Sequence, residues 1–480
     1  MSTIHSATAW EVRTTGAADN GGGFNAERAG AGTDYSQQDA PQLSLADLCC
    51  DGEPWVTSET GGFTAAMVGN VAYITGSGAV DGFYEIVSFV SGNEVHLNHP
   101  PGMFVNAQMK VGGAQSDLGR VLAAARADAS YGNVIHVRQG TYVLTTGLET
   151  GNDGHYLHPI VVRGYGSTRG DAVVPCVVID GNDGDYNVVA ITRTFWRFEY
   201  IEVWGRDPSA GAPTYAKHGF GIGNTSAGAE LWRCRVRNVG KQGIWTAGPN
   251  TLIAGCEVSG WGQVQSGTGI RLLSSASGSL VVACNVHDSN QDRANDGYYT
   301  ACDCPAGFDY CLACNCTGKG FVIDGDGVGG RQHFRHCVAC GGGEDGFYLG
   351  EGTGAEDHSL VLQNCLAVGN AGHGVSAHAA YKGRVILLGA GFQGNTSGEI
   401  EGTMTVEERV ARVSLSADPF VDAAAGDFRL KAAATQCLGT GVPGAFLSGG
   451  QLTSWSGHPD LGAVHQPVRP VSNPFAAAGV

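Results

Sequence analysis

The stretch Phe334-Arg335-His336-Cys337-Val338-Ala339, followed by Gly346-Phe347-Tyr348-Leu349, contains two short elements that recur through the middle of the chain. One element is a glycine followed by alternating apolar residues, which is the period-two pattern of a strand with one buried face. The glycines recur every 23 to 28 residues, at Gly219, Gly243, Gly269, Gly297, Gly320, Gly346, Gly374 and Gly398. A period of this length indicates a solenoid or a propeller.

The second element is an apolar residue followed three positions later by cysteine. The cysteines assigned to this position are Cys234, Cys256, Cys284, Cys314, Cys337 and Cys365. Stacked coils of a β-solenoid lie about 4.8 Å apart, so equivalent residues form a column along the axis. Because a small thiol packs well in such a column, the sequence predicts a structural cysteine ladder.

Two or three short strands per repeat, without helical periodicity, resemble the pectate-lyase-like superfamily of right-handed parallel β-helices. The resemblance covers roughly residues 134–398. It implies an all-β, right-handed parallel β-helix, whereas a propeller blade needs about 40 residues. Helical spacing of apolar residues predicts a capping helix near 117–128, with Ser116 or Asp117 as its N-cap.

The repeats divide the chain into three predicted parts. Residues 1–112 lack the repeat and contain three strand-like runs, which predict a small N-terminal β module. The β-helix with its capping helix is expected over residues 113–400. Residues 401–480 leave the repeat and carry scattered apolar residues, so this segment is expected to close the last coil and to contribute to a homotrimer contact.

Composition and charge restrict the partners. The formal net charge of −17 and the absence of clustered Lys and Arg argue against nucleic acid. An apolar run of about 18 residues, which a membrane span requires, does not occur in the sequence. The first thirty residues are polar, so synthesis in the cytoplasm without a signal peptide is expected.

The residues that precede the repeat glycines suggest two kinds of chemistry. Gly372-His373-Gly374 resembles a segment of polygalacturonase-like glycosidases, which share the β-helix fold. That resemblance implies Asp345 and His373 as catalytic residues, with Asp324 or Asp326 as the second carboxyl group that inverting hydrolysis needs. The sequence departs from that family, because Glu344-Asp345 replaces its aspartate pair and its downstream Arg-Ile-Lys is absent.

The same positions also suit a glycan-binding ridge, for which the candidates are Asp296, Lys319, Tyr298 and Tyr299. A third interpretation is a ladder of alternating charge on a solvated turn. The aromatic residues fit either a sugar-stacking face or the core of a wide β-helix.

Three interpretations concern metals and cysteine chemistry. Calcium would draw on clustered carboxylates such as Asp292, Asp296 and Asp303, and no other cofactor is expected. Cys311–Cys314 and Cys337–Cys340 have the double CxxC spacing of a zinc site, but two of these cysteines are assigned to the ladder, so no metal site is predicted. A disulfide involving Cys302, Cys304, Cys311 or Cys340 stays open, as do free thiols.

The predicted function combines a fold that ordinarily works outside cells with the polar N-terminus. Residues 34–40, 82–86, 418–420 and 426–430 resemble segments of β-helix proteins from tailed phages and environmental bacteria. We therefore predict a virion-surface protein of a tailed phage, similar to a tail fibre or tailspike, that binds host-surface polysaccharide and contacts other virion proteins. The alternative is an extracellular polysaccharide lyase or glycosidase acting on acidic polysaccharide, so enzymatic activity is left undecided.

Overall fold

The computed structural model describes residues 4–182, 184–205, 217–301, 307–324, 331–350, 359–379, 381, 383–402, 404–423, 427–442, 445–448, 451–454 and 461–462. The chain divides into two compact units, residues 1–210 with 219–235, and residues 211–218 with 236–480. Regular structure in the described residues is almost entirely β-strand, which confirms the all-β class. No described helix has the length and apolarity needed to cross a membrane.

The first unit contains a closed antiparallel barrel. Its strands, in order around the barrel, are Leu43–Asp51, Trp55–Ser58, Glu94–Leu97, Gly82–Ser91, Val71–Thr75 and Met103–Val111. Alternate residues point inward, so Leu48, Val56, Ile74 and Tyr84 are fully buried. Two short 3-10 helices, Tyr35–Gln37 and Ala65–Met67, flank these strands.

The strand Ala9–Val12 departs from the predicted N-terminal module. It pairs in parallel with Val134–Arg138 and antiparallel with Gly23–Phe24, so it belongs to a β-helix sheet. Its Glu11 is fully buried, and the Glu11 carboxylate binds Arg13 Nε at 2.7 Å and Arg169 at 2.8 Å. The Tyr165 hydroxyl also donates to Glu11. A buried ion network therefore anchors this N-terminal strand.

The predicted capping helix is present as Leu118–Ala124. Asp117 is its N-cap, and the Asp117 carboxylate accepts the N–H of Arg120 at 3.0 Å. Leu118, Val121 and Leu122 are buried, as the helical spacing predicts. The helix ends earlier than predicted because Ala125 already has extended backbone angles.

Three parallel sheets form the coils of the first unit. The first sheet holds Ala9–Val12, Val134–Arg138, Ile160–Tyr165, Trp196–Glu199 and Glu230–Trp232. The second holds Gly140–Val143, Val177–Asp180 and Ile201–Trp204, and the third holds Leu148–Glu149 and Asn187–Ile191. The strands His218–Ile222 and Arg235–Arg237 fall where the chain passes from one unit to the other.

The second unit repeats the same order of three strands in each coil. Its first sheet holds Leu252–Ala254, Leu280–Val282, Gly307–Asp309, Arg331–Arg335, Ser359–Gln363, Arg384–Leu388 and Thr405–Val410. The second sheet holds Glu257–Ser259, Asn285–His287, Leu312–Cys314, Val338–Cys340, Leu366–Val368, Gly391–Gln393 and Val413–Ser414. The third sheet holds Gln242–Thr246, Thr268–Leu272, Asp296–Ala301, Phe321–Asp324, Phe347–Leu349, His373–Ala377 and Gly398–Ile400.

The repeat glycines are required by close backbone packing in the third sheet. A β-carbon on Gly297 would lie 2.5 Å from the carbonyl oxygen of Gly320, and one on Gly320 would lie 2.7 Å from that of Gly346. Beside them, Tyr298, Phe321 and Phe347 stack nearly parallel, with ring centroids 4.7 and 4.9 Å apart. The glycines thus let successive coils approach while the next residue fills the core.

The cysteine ladder is present with one correction to the predicted set. In the first unit the Cys234 thiol donates to Phe198 O at 3.4 Å. The equivalent contact to the preceding coil, at 3.3 or 3.4 Å, is made in the second unit by Cys284, Cys311, Cys337 and Cys365. Cys314 is not in the ladder, because it pairs with His287 in the second sheet. The run Cys311-x-x-Cys314-x-Cys316 allowed two registers, and the core adopts the other one.

The C-terminal segment packs against the β-helix coils of the second unit. Phe420 and Phe428 are buried against the second sheet, together with Cys437 and Leu461. Two hairpins lie in this segment, Phe420–Asp422 with Asp427–Leu430 and Ala445–Ser448 with Gln451–Ser454. The segment was expected to close the last coil and to contribute to a homotrimer contact; Phe420 and Phe428 cover the second sheet of the β-helix, and the trimer contact stays a prediction. Trp455, another apolar residue of the segment 401–480, lies outside the described residues.

Candidate functional site

The residues that precede the repeat glycines lie in one line along the third sheet of the second unit. We call Thr268, Asp296, Lys319, Asp345 and His373 the leading column. The register places Thr268 beside Asp296, and the backbone of Gly297 binds the carbonyl oxygen of Lys319. The predicted ridge of alternating charge is therefore a real geometric feature.

Carboxylates of the leading column bind the backbone of the next coil. Asp296 Oδ1 accepts the N–H of Lys319 at 2.9 Å, and Asp345 Oδ1 accepts the N–H of His373 at 2.7 Å. Burial raises the pKa of Asp296, although the Lys319 N–H and ammonium oppose this shift. These aspartates thus have a structural role in holding adjacent coils in register.

Lys319 is the cation at the centre of the column. Its ammonium contacts the Glu344 carboxylate and lies 4.5 Å from the centre of the Tyr348 ring. Burial disfavours the charged form, but the contact with Glu344 and the charge of Asp296 outweigh burial and raise the pKa of Lys319. Lys319 therefore stays protonated at neutral pH and is a poor general base.

A second line of side chains follows the middle of the same strands on the face away from the core; its Val322 and Ser376 are buried, and its other members are partly exposed. We call Trp245, Arg271, Tyr299, Val322, Tyr348 and Ser376 the outward column; each is paired with the next in register. Its aromatic residues are half-buried and occur on every second coil, which spaces them about 10 Å apart. The Arg271 guanidinium lies 4.6 Å from the centre of the Tyr299 ring. A cation therefore accompanies each tyrosine.

Of the two adjacent tyrosines predicted to bind glycan, only Tyr299 lies on the outer surface. Tyr298 is 1% exposed, and its hydroxyl donates to Cys284 O at 2.8 Å. Successive residues of a strand point to opposite faces, so Tyr298 belongs to the core. Its assignment as a glycan-binding residue is wrong.

Of the two carboxyl groups predicted to act with Asp345, the structure describes only Asp324. Asp345 Oδ1 lies 3.7 Å from His373 Nδ1, so these two residues are neighbours. In the third sheet, Asp345 lies beside Lys319 of the neighbouring strand, and Asp324 is five residues further along that strand. Asp324 and Asp345 are therefore separated by roughly 16 Å along the strand direction. Inverting hydrolysis requires carboxyl groups about 6.5–9.5 Å apart. Asp345 and Asp324 therefore do not meet that requirement, and Asp326 lies outside the described residues.

The described residues that were weighed as calcium or zinc ligands do not converge on one point. Among the residues that the structure describes, no group of three or more His, Cys, Asp or Glu side chains could hold a metal ion. Cys311 and Cys337 point into the core, whereas Cys314 and Cys340 lie beneath the C-terminal segment. The double CxxC spacing therefore does not form a zinc site. Cys302, Asp303 and Cys304 lie outside the described residues.

A polar cavity of about 660 Å³ lies at the turns that follow the second sheet. Its lining includes Asp288, Asp292, Arg293, Asn315 and Thr317. The Asp288 carboxylate is held by His287 Nδ1 at 2.8 Å and by Asn315 Nδ2 at 2.9 Å. The contacts with Glu257 and Asp288 raise the pKa of His287. The cavity is a secondary candidate for binding a polar ligand.

Sequence reasoning missed Arg271 and Tyr348, which complete the outward column. Both residues follow a repeat glycine by two positions, as do Trp245 and Tyr299. The position after the glycine points inward and the next one points outward. Aligning the second position of every repeat would have identified the column.

Comparisons with known proteins agree with this architecture. Residues 218–395 match the family model described as "Right handed beta helix region". Among solved structures, that of pectate lyase Pel9A superposes with a TM-score of 0.52 at 15% identity, covering 74% of this chain and 92% of that one. The protein thus has a right-handed parallel β-helix fold, similar to that of pectate lyase Pel9A.

Further solved structures are more distant. A rhamnogalacturonan lyase matches at 14% identity and a TM-score of 0.47, covering 64% of this chain and 86% of that one. ORF18 of Geobacillus virus E2 matches at 12% identity and a TM-score of 0.38, covering 58% and 52%. No curated protein has a significant sequence match to the chain. At these identities the likeness to solved structures concerns the fold alone.

Proposed function

We propose that the protein binds polysaccharide along the outward column of the third sheet, as a tail fibre-like or tailspike-like protein on the surface of a tailed phage. The observation that supports this most directly is the recurrence of half-buried aromatic rings on every second coil. The resulting spacing of about 10 Å is comparable to the disaccharide repeat of an extended polysaccharide. Successive repeats of one chain would therefore meet equivalent rings.

The charges beside the rings favour an acidic glycan. Arg271 and Lys319 each place a cation against a tyrosine, where it can also bind a carboxylate of a sugar. Asp296 and Asp345 accept backbone N–H groups, but the Glu344 carboxylate already pairs with Lys319, so Arg271 beside Tyr299 is the main cation of this argument. Host-surface polysaccharides that contain uronic acids are thus the expected ligands.

The binding proposal is tested with three single variants, Trp245→Ala, Tyr299→Ala and Tyr348→Ala. Each removes one stacking ring, and each is expected to weaken binding to an acidic polysaccharide about fivefold, or roughly 1 kcal/mol. Tyr156→Ala is the matched control, because Tyr156 is 68% exposed and lies on the first unit. Calorimetry with glycans selected on an array measures the affinities. Unchanged affinity in all three variants would overturn the proposal.

The virion assignment and the homotrimer need separate experiments. Mass spectrometry of purified virions is expected to detect the chain, together with the virion proteins that it contacts. Light scattering on the full chain is expected to give the mass of a trimer at micromolar concentration. A monomer under those conditions would contradict the trimer, and absence from virions would favour another extracellular role.

The second candidate function is a polysaccharide lyase or glycosidase. It is favoured by the surroundings of Tyr348, whose phenol lies in the electrostatic field of Lys319, Asp324, Asp345 and Glu401. Burial and the carboxylates raise the pKa of Tyr348, while the Lys319 ammonium opposes them. Tyr348→Phe keeps the ring and removes the hydroxyl. An enzyme that uses Tyr348 would lose turnover and keep binding, whereas a protein that only binds glycan releases no unsaturated or reducing ends.

A further inference from the structure

The cysteines of the second unit fall into two environments. Ladder thiols such as Cys311 and Cys337 donate to carbonyl oxygens of the preceding coil in the core. Cys314 and Cys340 instead occupy the last positions of their strands in the second sheet, on the opposite face. Their thiol groups therefore have a different set of partners.

Cys314 and Cys340 lie directly opposite each other in neighbouring parallel strands. The two sulfur atoms are 2.8 Å apart. Paired residues of adjacent strands have backbones about 4.8 Å apart, which lies within the Cα separation that disulfides need. A bond between these sulfurs would thus require little movement of the backbone.

Both thiols are covered by the C-terminal segment. Cys314 is 2% exposed and Cys340 is 4% exposed, in a cluster that includes Phe420, Phe428 and Cys437. Burial raises the pKa of Cys340, and a thiol must be deprotonated to attack a disulfide. Oxidation of the folded protein is therefore slow, and the bond would form before the C-terminal segment packs or when it transiently opens.

We propose that Cys314 and Cys340 form a disulfide that joins adjacent coils beneath the C-terminal segment. Each thiol loses its proton and one electron as the sulfur–sulfur bond forms, and a low-molecular-weight disulfide such as oxidised glutathione accepts both electrons to become two thiols. The bond closes a loop of one complete coil, because the cysteines are 26 positions apart. This modification is independent of the proposed glycan binding.

Peptide mapping tests the proposal on the full-length protein. The protein is refolded with oxidised glutathione, or with dithiothreitol, and is then alkylated in denaturant. After oxidation we expect a cross-linked peptide pair that contains Cys314 and Cys340. The ladder cysteines are expected to be found alkylated in both samples. Complete alkylation of Cys314 and Cys340 after oxidative refolding overturns the proposal, as does a dominant cross-link from either of them to Cys437.

Thermal melting provides the second measurement. Closing a loop of this size predicts a melting temperature at least about 3 °C lower in the reduced protein than in the oxidised one. Cys314→Ser is expected to melt at the same temperature in both conditions. Cys284→Ser is the matched control, because it alters a ladder thiol and should keep the sensitivity to reduction. If Cys314→Ser does not fold, the mapping of the wild type still decides the question.

Discussion

Replacing Glu11 by Gln tests how the N-terminal strand is held in the β-helix. Glu11 is fully buried and binds Arg13, Arg169 and Tyr165. Burial disfavours the charged form of Arg13, yet its bond to Glu11 raises the pKa of Arg13 above its usual value. Burial and the same carboxylate raise the pKa of Tyr165 to about 12. The network therefore depends on the charge of Glu11.

The expected loss is about 2–3 kcal/mol. Removing one partner of a buried ion pair costs about 3–5 kcal/mol when the other charge is left alone. Here Arg13 also binds Asp39 at 3.1 Å and Arg169 binds Asp34 at 3.3 Å, so neither guanidinium loses every counter-charge. The expected loss of stability is therefore at or below the lower end of that range.

Hydrogen exchange measures this loss locally. A reduction of 2–3 kcal/mol in opening free energy should speed amide exchange in Ala9–Val12 and Val134–Arg138 by about 30- to 150-fold. Glu53→Gln is the matched control, because Glu53 is exposed on the barrel. Equal exchange rates in Glu11→Gln and wild type would refute the assignment of the network as the anchor of this strand.

Three further predictions follow from single contacts. Burial lowers the pKa of His136 to about 3, so the unfolded chain binds a proton at this residue as the pH falls below 6.5 and the folded chain does not. The free energy of unfolding of the wild type should therefore fall by roughly 2 kcal/mol between neutral pH and pH 5. The melting temperature of His136→Gln should depend less on pH. Tyr298→Phe removes the hydroxyl that donates to Cys284 O and should cost about 1 kcal/mol in denaturant titration without weakening glycan binding, whereas weakened binding would restore its predicted role. Asp345→Asn keeps an oxygen acceptor for the His373 N–H and should melt close to wild type, whereas Asp345→Ala should melt lower; equal melting of the two variants would contradict the structural role.

The β-helix could be predicted from the sequence because successive coils of the second unit need a glycine at the same position. A β-carbon on six of the repeat glycines would collide with a backbone oxygen of the next coil, so the glycine spacing reports the coil length; these are Gly243, Gly269, Gly297, Gly320, Gly346 and Gly374. Side-chain direction was harder to predict where two similar residues are adjacent. Tyr298 and Tyr299 differ only in the face to which they point, and Cys311 and Cys314 both fit the same written pattern.

The C-terminal segment was predictable in composition but not in placement. Phe420 and Phe428 were recognised as apolar residues that need cover, but a sequence does not tell whether another subunit or the same chain supplies it. The proximity of Cys314 and Cys340 likewise depends on register between strands 26 positions apart. The cover supplied by the C-terminal segment arises from contacts outside the repeat, whereas the pairing of Cys314 with Cys340 lies within the repeat and depends on its exact register.

The spacing of the rings in the outward column is fixed by the fold. Each coil adds a fixed rise of about 4.8 Å, so the distance between two rings is set by counting coils and not by loop conformation. Inserting one complete coil between Tyr299 and Tyr348 would shift one ring out of phase with the other while leaving the local packing of each coil intact. Duplication of coil pairs, by contrast, would lengthen the face without changing its period, which gives evolution a simple route to longer ligands on the same scaffold.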